Sequence, residues 1–225
     1  MGKINIGVVD ELGYSSKEAF RTLRTNIGLY GHDIKAIAIT SSTPKEGKTS
    51  VAFNLARSMA SIGKKVIFID ADLRRSNFKK KYKVKEAVNG LSLYLSGHKQ
   101  SEDIVCTTNI DNLDIVFSDA PCSDSTELLD SVNLKKLISS LKEEYDYIII
   151  DTPALAGAID GAIIARECDG IIVVIEENTI SRKIARKVIE QLEATNCEIL
   201  GVVINKAQMY QRYDNCTKYY SDTAI

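Results

Sequence analysis

The stretch from Ile37 to Ser50, Ile-Ala-Ile-Thr-Ser-Ser-Thr-Pro-Lys-Glu-Gly-Lys-Thr-Ser, constrains the fold more than any other part of the chain. It reads as a buried apolar strand, a tight loop and a helix that opens at Gly47-Lys48-Thr49-Ser50 and continues through the apolar Val51, Leu55 and Met59. Strand, loop, Gly-Lys-Thr and helix in that order form the setting of a phosphate-binding loop. N–H groups at the helix start, together with the helix dipole, favour an anion there. Gly47 lets the backbone approach phosphate closely, where a Cβ would collide. Lys48 can reach the outer phosphates and the Thr49 hydroxyl can ligate Mg²⁺. Pro44, Lys45, Glu46 and Ser50 complete the expected nucleotide-binding loop, in which Ser42 stands where the usual pattern has its first glycine.

Further short apolar runs follow. Val66 to Ile69 closes on Asp70-Ala71-Asp72, Tyr147 to Ile150 closes on Asp151, and Leu113–Phe117, Gly170–Ile175 and Leu200–Asn205 repeat the pattern. Helical periodicity separates them: a helix from about 126 to 144, another over Asp160 to Arg166, and a third carrying Ile180, Ile184, Val188 and Leu192. Alternating strands and helices predict an α/β fold, a mostly parallel sheet flanked by helices, of the P-loop NTPase type with a deviant Walker A loop. In such sheets ligands bind beyond the carboxyl ends of the strands. Lys48, Asp70, Asp72 and Asp151 should therefore meet in one crevice, with Thr49, Asp70 and Asp151 as candidate Mg²⁺ ligands and the four as the catalytic set. Phosphoryl transfer needs a positioned acceptor and neutralised charge. These residues do not name the acceptor: water would make an ATPase switch, a tyrosine hydroxyl a kinase.

With 225 residues, a net charge of −1 and 44% apolar content, the chain suits one soluble domain and gives no reason to expect nucleic acid as a partner. Nothing approaches the run of about 18 apolar residues that spans a bilayer, and the first residues lack the apolar core of a signal peptide. Five cysteines without a Cys-x-x-Cys pair, and two histidines, argue against zinc and a disulfide framework, so a cytoplasmic setting is expected. Residues 1–14 carry little pattern and read as an extended arm. A helix over about 15–30 should be capped by Ser15 or Ser16, with Glu18 in its first turn, burying Phe20, Leu23 and Ile27. Glu18, Arg21 and Arg24 form a charged row that by itself reads as a solvated face. Five lysines between Lys79 and Lys85 read as solvated surface, with anionic lipid or an acidic partner as the other possibility. The domain is expected to span 1–206, leaving a tail, 207–225, with Tyr210, Tyr213, Tyr219 and Tyr220 among polar residues. That composition predicts a flexible tail unless its rings dock on the domain.

Three motifs in order, Ser41-Ser42-x-Pro44-x-Glu46-Gly47-Lys48-Thr49, Val66 to Arg75 and Asp146 to Pro153, resemble those of the bacterial tyrosine kinases of capsule and exopolysaccharide biosynthesis. Glu18-x-x-Arg21-x-x-Arg24-Thr25-Asn26 resembles their oligomerisation motif, and Gly90-Leu91-Ser92 and Glu127-Leu128-Leu129 also fit. The resemblance implies that Lys48 and the loop bind ATP or ADP, that Thr49, Asp70 and Asp151 organise Mg²⁺, that Asp72 activates or orients the acceptor hydroxyl, and that Asn205 contacts adenine. It implies tail tyrosines phosphorylated in trans within a homo-oligomeric ring built through Glu18, Arg21 and Arg24. It implies a separate membrane modulator that recruits the chain to the inner face of the membrane, and a cognate tyrosine phosphatase. Lys45 and Ser76 depart from the family's common glycine and proline, and Asp119 to Ser125 departs from its proline-rich loop. The rival is a partition or septum-placement ATPase, but the signature lysine of that class falls at Thr43 here.

Overall fold

A computed structural model describes residues 2–7, 11–31, 33–119, 121–179 and 181–207. In chain order, β1 (Gly2–Lys3) and α1 (Tyr14–Leu29) precede β2 (Ala36–Ser41), the phosphate loop and α2 (Lys48–Ala60). Then β3 (Val66–Asp70) leads through the short helices α3 (Phe78–Lys81), α4 (Leu91–Leu95) and α5 (Ser101–Ile104) to β4 (Val105–Thr107) and β5 (Leu113–Val116). Next come α6 (Ser125–Leu129), α7 (Val132–Glu144) and β6 (Tyr147–Asp151). The described part closes with α8 (Asp160–Arg166), β7 (Gly170–Glu176), α9 (Arg182–Glu193) and β8 (Glu198–Asn205).

The strands form one sheet in the order β1-β4-β5-β3-β6-β2-β7-β8, parallel throughout except where β4 meets β5. This is the mostly parallel α/β sheet that the apolar runs predict. The side chains of β2 and β3 alternate between two cores, as the period of a strand demands. Ala36, Ala38, Ile67 and Ile69 face the layer of α7 and α8, where Leu137, Leu141 and Ile164 cover them. Ile37, Ile39, Val66 and Phe68 face α2, with Phe53, Leu55 and Met59. On that side Phe78 lies against Phe53 and Phe68, with ring centroids 5.0 and 4.9 Å away, and Tyr82 caps the group. The first part of the basic tract, Lys79 to Lys81, therefore lies on a short helix whose place is fixed by two buried rings, Phe78 and Tyr82.

The extended arm expected at the start docks on the sheet edge: Gly2 and Lys3 pair with Cys106 and Thr107, and Ile4 and Ile6 are buried. Edge pairing this short leaves no periodic trace in a sequence. Neither Ser15 nor Ser16 caps α1; Gly13 holds the N-cap, and Glu18 lies beyond the first turn. The single helix expected over 126–144 is two, broken at Asp130 and Ser131, where the chain turns from α6 into α7. The last strand starts earlier, at Glu198. Ile180 and the tail tyrosines Tyr210, Tyr213, Tyr219 and Tyr220 lie outside the described residues.

Candidate functional site

Strands β3, β6 and β2 are neighbours at the centre of the sheet, so their carboxyl ends open on one rim. Asp70 ends β3 and Asp151 ends β6, and the two are register partners across the strand pair. Ile39 of β2 pairs with Asp151 on the other side, which puts the start of the phosphate loop next to both carboxylates. Strand pairing thus brings together residues 81 positions apart in sequence, Asp70 and Asp151.

The loop is held by its own side chains. The Thr43 N–H donates to Glu46 Oε2 at 2.8 Å, and Ser41 Oγ donates to the Thr43 carbonyl at 2.9 Å. The segment after β6 braces it: Leu155 and Ala156 N–H groups donate to the Ser41 and Ser42 carbonyls at 2.9 and 3.0 Å. Pro44 and Lys45 form the exposed tip, while Glu46 is buried. Gly47 has φ 91°, and a Cβ there would lie 2.1 Å from Asn205 Nδ2. Both the backbone and the close approach thus require glycine. Asn205 reaches the loop from the end of β8 and donates to the Glu46 carbonyl at 2.8 Å. A cavity of about 240 Å³ opens beside it, lined in part by Ser50, Asn54 and Lys81.

Asp70 and Asp151 are almost wholly buried. Burial pushes the Asp70 carboxyl up to about 7, the charge of Asp151 adds to the rise, and hydrogen bonding from Ser76 opposes it. Burial likewise raises Asp151 to about 6, while the Lys48 ammonium and the Thr49 hydroxyl pull it down. Asp70 Oδ1 and Asp151 Oδ1 are buried without a hydrogen-bond partner, as are Ser42 Oγ and Glu46 Oε1. Buried oxygens of this kind are costly unless something binds them. Two carboxylates beside an anion-binding loop fit a hard divalent cation such as Mg²⁺, which takes one or two carboxylates and completes its shell with water and phosphate oxygens. That incomplete protein share is consistent with the described residues, among which no group of three or more His, Cys, Asp or Glu side chains could hold a metal alone.

Asp72 reaches the crevice from beyond the strand. β3 ends at Asp70, so Asp70 and Asp72 do not share a strand face. Asp72 begins a turn in which its Oδ1 accepts from the Arg74 and Arg75 N–H groups at 3.3 and 3.0 Å. Its Oδ2 lies 3.7 Å from Lys48 Nζ, with both side chains largely buried. In the charged row of α1, Glu18 and Arg21 pair with each other on the exposed face, while Arg24 donates to the Ser58 carbonyl at 2.6 Å and ties α1 to α2.

Several contributors escape a reading of the sequence. Ser76, noted only as a departure, donates to Asp70. Lys81 leaves the basic tract to contact Ser50 in the first turn of α2. Lys206 donates to the Lys45 carbonyl at 2.9 Å and pairs with Glu176 at 2.8 Å, so it braces the loop tip. Asp160 reads as a helix start, yet it is fully buried against Arg74.

Residues 34–201 match the AAA domain family. Tyrosine-protein kinase CpsD of Streptococcus agalactiae serotype III is 40% identical over 191 residues, covering 85% of this chain and 82% of that protein. The kinase domain of the Escherichia coli tyrosine kinase ETK superposes with a TM-score of 0.79 at 29% identity, covering 87% of this chain and 79% of that one. The septum site-determining protein MinD of Pyrococcus horikoshii, solved as a complex with Mg-ADP, has a TM-score of 0.68 at 27% identity and covers 80% of this chain and 73% of its own.

Proposed function

This chain belongs to the family of bacterial tyrosine-protein kinases and is itself a protein-tyrosine kinase, and we propose that it transfers the γ-phosphoryl of Mg-ATP to Tyr210, Tyr213, Tyr219 and Tyr220 of a neighbouring copy. The observation that carries the reading is the meeting of Lys48, Asp72 and two buried, underbonded carboxylates beside one phosphate loop.

In this reading the loop from Pro44 to Ser50 cradles the phosphates with its N–H groups, and Asn205 borders the base. Thr49, Asp70 and Asp151 hold Mg²⁺, which, when bound, offsets negative charge on the phosphate oxygens. Lys48 neutralises charge that spreads over the transferring group. Asp72, beside Lys48, accepts the phenol proton as the new bond from the tyrosine oxygen to phosphorus forms. The bond from phosphorus to the bridging oxygen breaks, and ADP leaves with that electron pair. Glu18 and Arg21, exposed on α1, supply contacts between copies in a ring, with Arg24 setting the angle of α1 on α2. The role served is control of capsular or exopolysaccharide synthesis, with activation and membrane recruitment by a separate membrane protein and reversal by a tyrosine phosphatase.

The test is incubation of the purified chain with Mg-ATP, with and without the cytoplasmic segment of the modulator, followed by mapping of phosphate by mass spectrometry beside a Lys48→Met control. Phosphotyrosine within 210–220 that the control lacks supports the reading. Phosphate released to water, with the tail unmodified, points instead to an ATPase switch.

A further inference from the structure

Asp160 is the most heavily engaged carboxylate in the described structure that the proposed chemistry does not use. It opens α8 and is fully buried. Arg74 grips it with both arms of the guanidinium, Nε to Oδ2 at 2.7 Å and Nη2 to Oδ1 at 3.1 Å. The hydroxyls of Ser125 and Thr126, at the start of α6, donate to it at 3.0 and 2.9 Å, and Arg74 also donates to Thr126 at 2.8 Å. Burial would raise the Asp160 carboxyl, but the bonds from Arg74, Thr126 and Ser125 outweigh it and hold the group ionised below the usual range.

Arg74 has a second role through its backbone. Its N–H, with that of Arg75, fixes Asp72 Oδ1, while Asp72 Oδ2 faces Lys48. The side chain and the main chain of one residue therefore join a fully buried anion to the turn that aims Asp72. A bidentate pair of this kind fixes direction as well as distance. Its other end lies at the close of the segment that runs from Asp151 past the phosphate-loop braces Leu155 and Ala156.

We propose that Asp160 and the Arg74 guanidinium are positioning residues for the kinase reaction, a latch that holds the Asp72 carboxylate against Lys48. The inference rests on the role given above to Asp72. Neither residue of the latch need touch nucleotide or acceptor. Losing the latch should lower turnover and leave nucleotide binding alone.

Three variants test it under conditions in which the parent chain phosphorylates itself: Arg74→Lys, Arg74→Met, and Arg74→Met combined with Asp160→Asn. Arg74→Lys keeps the charge and loses the fork. Arg74→Met strands a buried carboxylate and should lower Tm sharply, and adding Asp160→Asn removes that charge and should restore most of the Tm. Turnover should fall about 100-fold in all three, as expected for a misplaced catalytic group. KM for ATP and the Kd of a fluorescent ADP analogue should stay within about twofold of the parent. The decisive comparison is the double variant, in which Tm should recover and kcat should not. Recovery of kcat along with Tm, a loss confined to KM, or parental kcat in any of the three overturns the latch. Asp72→Asn, measured alongside, separates the two ideas. If that variant keeps its turnover, the role of Asp72 fails. If it is inactive while the double variant is active, only the latch fails.

Discussion

At the amino ends of the strands, exposed or half-buried carboxylates accept hydrogen bonds that close the fold. Asp169, just before β7, accepts the Lys35 and Ala36 N–H groups at 3.0 and 2.8 Å and pairs with Lys142 at 2.5 Å. Asp146, just before β6, accepts the Lys65 N–H at 2.8 Å. Burial works against the ionised form of Asp169, yet the bonds from Lys142, Ala36 and Lys35 win, and its carboxyl stays below the usual range. At the carboxyl ends of the same sheet, Asp70 and Asp151 are raised, and each keeps an oxygen without a partner. One edge uses aspartate to close the fold; the other holds aspartate at a cost in stability, which is what a site built for a cation and phosphate requires.

The sharpest way to break this comparison is to neutralise one aspartate at each edge. Asp151→Asn should lower turnover by at least about 1,000-fold, a loss on the scale of removing a main electrostatic contributor to a transition state, and should leave Tm equal or higher. The paired measurement is phosphate incorporation against thermal unfolding of the nucleotide-free chain. A destabilised Asp151→Asn variant would remove the contrast.

A smaller effect follows from Asp70. Folded, it holds its proton up to about pH 7, whereas the unfolded carboxyl releases it near 3.8. Between those values the folded chain binds more protons than the unfolded one, so stability falls as pH rises, and the penalty is complete above about 7. Asp70→Asn lacks this penalty, so its advantage over the parent should grow across that window, reach a few kcal/mol and then level off. Urea midpoints from pH 5 to 8 check it; an advantage that does not change with pH rules it out. Over the same interval Mg²⁺-dependent nucleotide binding should tighten in the parent, because the cation competes with that proton, and chelating the metal should erase the slope.

Asp169→Asn gives the converse at the other edge. It should cost about 2 kcal/mol of stability near neutral pH and leave kcat within about twofold. The Asp169 contribution is present above the unfolded carboxyl range and is lost as acid titrates the folded group, the opposite slope to Asp70. Denaturant curves at pH 7 and below 4 read both.

These contrasts also explain what the sequence could and could not disclose. Asp70 and Asp151 were legible because each closes a run of apolar β-formers, and a parallel sheet puts such ends on one rim. The phosphate loop was legible because its residues are contiguous. Asp72 sits in a turn beyond β3 rather than on the strand, and the turn bonds that aim it leave no trace in strand periodicity. Asp160 and Arg74, 86 residues apart, meet only through the packing of α6 and α8, and neither has a local pattern that names its partner. Ser76 and Lys206 are single polar residues in loops, where local sequence carries no register. β1 and β4 are too short for a period of two to show.

The same division between edges extends to backbone strain. At the amino edge, the left-handed positions before β5 and β8 are Asn112 and Asn196, with φ 61° and 58°, a residue type that tolerates this conformation. At the carboxyl edge, Asn178 after β7 has φ 60° in the same way, but Lys45 at the loop tip has φ 75° and Lys206 has φ 55°. A lysine side chain gains nothing from that region, and strain of this sort gathers at functional loops whose surroundings hold it in place. The brace on Lys45 is Lys206, which grips its carbonyl rather than its side chain, so glycine at position 45 would keep the contact. Lys45→Gly should therefore stabilise the chain slightly, by about 0.5 kcal/mol, as relief of the positive φ outweighs the added freedom of the unfolded chain. Asn112→Gly, at an amino-edge position already suited to its residue, should gain less or lose. Paired denaturation midpoints decide it, and an equal gain at both sites would mean that the phosphate loop stores no more strain than an ordinary turn.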